Sequence, residues 1–398
     1  MKAIWAREQS EVSQDEYQTF YKHISKNNDQ PFEILRHKAS GGNFDYTYLV
    51  FLPSESSQSL FYRDQKHGLQ LYVNRVMIME NCEDLVPEYF RFVKGVVESP
   101  DLSLNVSREI LQQDRKLKII RTRIVKRIVE TLEKIKTDDR PRYEKFWEQF
   151  GTILKEGIID FENADKLKPL FLFKSSTQDN LTSLSEYVSR MKEDQTEIYY
   201  LTAENVDVAQ RSPHLEAFKE KGIEVLFMVN PVDEWMMNSF HEFDGKSLKS
   251  IGKGQIELGS EDEKKAQKEA IKEKETELAD LMAAIQKNLD KHVKEVRLST
   301  RLTNSPACLV VNEEDFSKGF EEMLRKMGQN APTTKRVFEL NPNHALVEKL
   351  NGVFKANPED AKVGQYVQLL FGQAQLAEGS QLAEPQRFSE ALTAVMGG

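Results

Sequence analysis

The apolar positions of this chain change period several times, and each change predicts a change of element. Residues 32–36, 46–52 and 69–79 are rich in aromatic and β-branched side chains. Gly41-Gly42 and the turn-prone run 53–58 separate them, so they read as strands of one sheet. Beyond them Leu117, Ile120, Ile124, Ile128 and Leu132 recur at helical spacing, with Lys116, Lys118, Arg121, Arg123, Lys126 and Arg127 on the other faces. This predicts one long, basic, amphipathic helix. A second helical block over 143–155 carries Phe146, Trp147 and Phe150 and stops before Gly157.

The next pattern is βαβ. Residues 197–201 read as a strand, Ser212-Pro213 opens a helix through Lys221, Gly222 closes it, and 223–229 read as a second strand. Such a unit favours parallel pairing with a right-handed crossover. Composition shifts at Gly252: from 259 to about 277 the chain is dense in Glu and Lys, which suits either a solvated helix or a mobile linker. Further on, 293–298 and 307–311 read as strands, 315–328 as a helix, and 359–377 with 385–396 as two closing helices.

The fold class is therefore α/β and α+β, multidomain. The expected divisions are 1–135 as a large α/β subdomain, 136–165 as a helical connector and 166–252 as a smaller α/β subdomain. Residues 253–277 form the charged linker or helix, and 278–398 a small α+β domain ending in a helical pair.

Charge narrows the partners. Lys+Arg of 55 against Asp+Glu of 64 gives a net charge of -9, which disfavours nonspecific attraction to nucleic acid or an anionic membrane. No apolar run approaches the ~20 residues that span a bilayer, and the start lacks a signal-peptide core, so a cytoplasmic protein with no membrane contact is expected. Cys82 and Cys308 stand far apart and read as ordinary thiols, with no disulfide framework or metal site expected.

One segment carries chemistry. In Asn105-Val106-Ser107-Arg108-Glu109 an arginine follows a capping serine at the mouth of the basic helix. A guanidinium placed there suits the terminal phosphate of a nucleotide, because its planar fork matches phosphate oxygens. The alternative is a solvated or ion-paired arginine at a helix end. Ser107 reads as a cap and not as a nucleophile, since no histidine lies near it in sequence.

The run Phe92-Val93-Lys94-Gly95-Val96-Val97-Glu98-Ser99-Pro100-Asp101-Leu102-Ser103-Leu104, continuing through Asn105-Val106-Ser107-Arg108-Glu109-Ile110-Leu111-Gln112, resembles the catalytic-loop signature of the 90-kDa heat-shock chaperone family. Trp5-Ala6-Arg7, Tyr187-Val188-Ser189-Arg190-Met191, Ile198-Tyr199-Tyr200-Leu201-Thr202, Asp233-Glu234-Trp235 and Phe338-Glu339-Leu340-Asn341-Pro342-Asn343-His344 match as well. The last of these, and an end without an acidic peptide tail, look like the bacterial branch. The resemblance covers essentially the whole chain.

The resemblance implies an ATP-dependent, stress-response chaperone that binds and remodels partly folded clients. The chain would then be its middle domain, made of the two α/β subdomains, and its C-terminal dimerisation domain. The nucleotide-binding domain would be missing, Met1 would be an added start, and no hydrolysis is expected from the piece alone. By the same resemblance Arg108 contacts the γ-phosphate of ATP, with Asn105 and Gln112 supporting the loop. ATP and Mg would be cofactors of the full-length protein, with none bound by this piece alone. Two departures bear on coupling: Ser103 stands where a proline is usual, and Met77 where some relatives carry an aromatic residue.

Two surfaces follow. Phe316, Phe320, Met323, Leu324 and Met327 form an apolar stripe with Lys318, Glu321, Glu322 and Arg325 opposite. Alone it reads as a core-facing helix, whereas the resemblance makes it an exposed client-contact segment, for which flexible thioethers are suited. Trp235 with Glu234 is placed in the same client cleft, and Trp5 is read as packing. Tyr366, Leu370 and Phe371 share one stripe of the closing helices, and Phe388, Leu392 and Val395 another. They predict either a cap on their own domain or a four-helix bundle with a twofold mate. Co-chaperones are further possible partners. The alternative function is a non-catalytic scaffold or protein-binding module in which Arg108 is structural, with nucleic-acid binding by the basic helix a third reading.

Overall fold

The computed structural model describes residues 3–41, 44–57, 60, 66–102, 115–326, 328–329 and 334–397. The chain divides into two compact units, Met1–Leu172 and Phe173–Gly398.

The first unit is built on a five-stranded sheet in the order β1-β2-β5-β3-β4. Its strands are β1 (Pro31–Ala39), β2 (Tyr46–Pro53), β3 (Leu69–Val73), β4 (Val76–Cys82) and β5 (Lys94–Glu98). β2 is buried along nearly its whole length because both of its faces are covered. Leu49 and Phe51 point to the face holding Trp5, Tyr17 and Tyr21, the last two on α1 (Gln14–Ser25). Tyr46, on the opposite face, accepts a hydrogen bond from Arg123 Nη1 at 2.9 Å. Arg123 belongs to α2 (Arg115–Asp138), which with α3 (Arg140–Lys155) completes the unit.

The expected strand over 69–79 is two strands. Asn74 and Arg75 take φ of 49° and 67°, which turns the chain back into a β3–β4 hairpin, and asparagine is one of the few residues that enters this region readily. β5 carried no alternation to announce it, yet it is central. Gly95 there has φ +154°, and a Cβ on it would stand 2.4 Å from the Leu49 carbonyl oxygen. Only glycine lets β2 approach so closely.

The second unit contains two sheets. One runs β10-β11-β8-β9-β6-β7, from β6 (Leu172–Ser175), β7 (Thr182–Ser183), β8 (Glu197–Thr202), β9 (Leu226–Met228), β10 (Glu242–Phe243) and β11 (Lys246–Ser250). β8 and β9 pair in parallel, as the βαβ pattern predicts. Gly222 sits at φ +61°, where the intervening helix ends. Short helices follow these strands, among them α4 (Leu184–Arg190), α5 (Val206–Gln210), α6 (Glu216–Glu220) and α7 (Pro231–Met236).

The Glu/Lys-rich stretch is a helix, α8 (Glu261–Asn288), opened by a capping box at Ser260 and Glu263. Only its final turns contribute buried residues, Leu278, Leu281 and Ile285. They join the core of a three-stranded sheet in the order β12-β14-β13, formed by β12 (Val293–Leu298), β13 (Ala307–Val310) and β14 (Arg336–Leu340). Around it lie α9 (Lys318–Lys326), α10 (Ala345–Ala356), α11 (Ala361–Ala377) and α12 (Pro385–Gly397). β14 and α10 were not read from periodicity. Every residue of β14 is buried, so it shows no two-fold alternation.

Charge is buried on the central strand of this sheet. Glu339 accepts from Arg297 Nη2 on Oε1 at 2.7 Å and from Ser299 Oγ on Oε2 at 2.8 Å, and Arg301 Nε lies 3.0 Å from Oε2. Arg301 also donates to the carbonyls of Ile251 and Gly254. Burial alone would raise the Glu339 carboxyl, but Arg301 and Arg297 outweigh it and hold it below the usual range.

Candidate functional site

Asn105, Arg108 and Gln112 lie outside the described residues, as do Ser103 and Ser107. The structure does describe the strand that leads into this segment, and it is firmly tied. Glu98, the last residue of β5, accepts from Trp5 Nε1 at 2.6 Å and from the Arg75 backbone N–H at 2.9 Å. Trp5 is buried, with its ring 4.9 Å from Tyr72 and 5.5 Å from Phe20, so its reading as packing holds. Ser99 donates from Oγ to the Asp45 carbonyl at 2.6 Å and from its backbone N–H to the Tyr72 carbonyl at 3.1 Å. Met77 lies exposed beside Val76 on the edge strand β4.

The second candidate centres on α7 and α9, which pack against each other. Trp235 is half-buried on α7. Phe316 precedes α9 and is 40% exposed, its ring 4.9 Å from that of Phe320. Phe320, Met323 and Leu324 are half-buried. The structure thus gathers the predicted apolar residues of the two segments at neighbouring elements and leaves each partly open to solvent.

The contact has a polar clasp that periodicity could not reveal. Ser317 Oγ donates to Glu234 Oε2, and Gly319 passes so near that a Cβ there would stand 2.6 Å from Glu234 Oε1. Burial raises the Glu234 carboxyl above the usual range, opposed by the Ser317 and Thr202 hydroxyls and by Lys253. Lys253, its own ammonium lowered by burial, donates to the Asp315 carbonyl at 3.0 Å. Glu234 therefore anchors the apolar face at its edge.

One side chain of the stripe is corrected. Glu321 was expected on the solvated side of the helix, but it is 2% exposed. It receives a hydrogen bond from the Thr334 hydroxyl and lies 3.5 Å from Arg336 Nη1 and 3.4 Å from Arg325 Nη2. A buried carboxylate needs such partners. The inward face of α9 is thus partly ionic, and the phenylalanines stand away from it.

The closing helices separate into two sets. Tyr366, Leu370 and Phe371 are buried in this chain's own core, with Phe371 edge-on to Phe338 at 5.9 Å. On α12 Phe388 is half-buried over Gly372, where a Cβ would stand 2.3 Å from its ring. Val395 packs partly on the same core. Leu392 is 41% and Met396 79% exposed, and Leu376 of α11 is exposed too. An apolar strip therefore remains uncovered along the helical pair.

Among the described residues no helix is long and apolar enough to cross a membrane, and no group of three or more His, Cys, Asp or Glu side chains could hold a metal ion.

Comparison with known proteins gives one consistent answer. The profile of the Hsp90 protein family matches residues 1–397. The chain is 48% identical over 401 residues to the chaperone protein HtpG of Nocardia farcinica, covering 98% of this chain and 61% of that protein. It is likewise 48% identical over 394 residues to HtpG of Rhodococcus jostii and 47% identical over 397 residues to HtpG of Mycobacterium tuberculosis, with the same coverage. The chain thus spans about three-fifths of the length of these curated relatives.

Proposed function

The chain belongs to the Hsp90 family, and from that premise we propose that it supplies the client-contact surface and dimer interface of an ATP-dependent molecular chaperone. The observation that supports this best is the open apolar face of Trp235, Phe316, Phe320, Met323 and Leu324. Large apolar side chains left partly open, clustered on elements that a polar clasp holds together, suit the capture of varied apolar segments. Glu234 sets the polar edge of that surface.

The remaining assignments rest on the family. Arg108 would bring its guanidinium to the γ-phosphate and offset charge that develops there during hydrolysis, with Asn105 and Gln112 supporting the segment. ATP with Mg2+ would supply the transferable phosphoryl group. The cation this chain would bring to it is the Arg108 guanidinium. Dimerisation through residues 359–396 would cover Leu376, Leu392 and Met396, while Tyr366, Leu370, Phe371 and Phe388 keep the helices in place beneath them.

Client contact is tested by titrating the chain with a permanently unfolded, carboxymethylated model protein. Trp235→Ala should weaken binding about fivefold or more, and unchanged affinity sinks the assignment. A light-scattering mass of one chain at micromolar concentration would refute the dimer. In a protein that carries a nucleotide-binding domain, Arg108→Ala should slow ATP turnover at least about tenfold.

A further inference from the structure

The first unit holds a pocket of about 380 Å3 on the face of the sheet that carries α1, lined by residues of that unit. Its floor includes Lys94, the first residue of β5, on the same face as Val96. Ile24 and Pro53 give it an apolar patch within a mostly polar lining, and Lys26 and Lys66 stand exposed at its rim.

Lys94 is half-buried, and burial lowers its ammonium. Among the described residues it has neither a hydrogen-bond partner nor an ion-pair partner. The other charges around the pocket do not supply one. Its acids, Glu55 and Glu80, are exposed at the edge and neither pairs with Lys94, and Arg91 is itself a cation, engaged by both oxygens of Glu156 at 2.6 and 2.9 Å.

A desolvated cation without a counter-charge is costly. A cavity of this size, lined by several cations and a few apolar side chains, fits a compact anion. We propose that this pocket binds a small organic anion whose acidic head pairs with Lys94 and whose apolar body rests on Ile24 and Pro53. The cations at the rim favour its approach. The site is independent of chaperone activity, so its test does not depend on that reading.

The test uses the whole chain and two probes that share an aromatic body, benzoate and phenyl phosphate, with inorganic phosphate as a head without a body. At least one aromatic anion should bind saturably below ~10 mM, with shifts confined to the Lys94 ε-methylene and the Ile24 methyls. Lys94→Met should weaken it at least about tenfold, and Lys94→Arg should retain it. No saturable binding, or equal affinity in Lys94→Met, would overturn the site. Inorganic phosphate binding as tightly as phenyl phosphate would overturn the role of the apolar patch. Without ligand Lys94→Met should melt higher than the parent, because an unpaired cation has been removed. A lower melt would show that Lys94 has a structural partner and would also overturn the proposal.

Discussion

Two helical stripes in this chain repeat at the same spacing and meet opposite fates. On α2 none of Leu117, Ile120, Ile124, Ile128 and Leu132 is more than 1% exposed. At α9 Phe316, Phe320, Met323 and Leu324 all stay partly open, while the acidic Glu321 goes inside. The difference lies in what each helix is offered. α2 is long and lies against a sheet whose β2 is covered on both faces. α9 is short, and Arg336 and Thr334 draw its carboxylate inward as Glu234 grips its start. A period shows that a face exists, and the neighbouring elements decide which face is buried.

This contrast can be broken at several points, beginning with the largest expected effect. Ile128→Ala on α2 should destabilise the first unit by about 3 kcal/mol in chemical denaturation, since it opens a cavity in a closed core. A cost under about 1 kcal/mol would show that α2 packs loosely. Glu321→Ala on α9 should cost about 2 kcal/mol, because Arg336 loses a buried carboxylate and keeps the Thr334 hydroxyl at 2.9 Å and Glu378 at 3.8 Å. If that variant proved neutral, the ionic inner face of α9 would be wrong.

Smaller effects sharpen the edge of the patch. Glu234 has a folded-state pKa above its unfolded one, so the folded chain holds that proton more tightly. Its contribution is full below the unfolded value and is lost as pH rises through the raised one. Glu234→Gln should therefore flatten the fall in melting temperature just above the ordinary glutamate range. Glu339 works in the opposite sense: its lowered pKa stabilises above the ordinary range, and that stability is lost as pH falls through the depressed value. A Glu234→Gln profile parallel to that of the parent would show the raised pKa to be wrong.

The sequence was most legible where one covered face imposes a clean period. The α2 stripe, the β8–β9 crossover closed by Gly222 and the paired closing helices all follow from spacing and turn chemistry. β14 was hidden because it is buried on both sides, and β5 because a glycine interrupts its short run. The hairpin at Asn74-Arg75 was missed because it lacks the glycine that usually marks such a turn. At the α7–α9 face the apolar members could be named from sequence, but Ser317, Gly319 and Lys253 could not. Their signal is the proximity of segments about 80 residues apart, which no local pattern encodes. Arg108 lies outside the described residues, and its role rests on the family.

The central claim is that the α9 phenylalanines are a surface for other chains and not part of this chain's core. The most direct test is the double variant Phe316→Ser with Phe320→Ser, followed by thermal melting and by titration with an unfolded client. The account predicts a melting temperature within about 3 °C of the parent and client affinity reduced at least about tenfold. A melt lowered by much more than that, or client binding left intact, would contradict it.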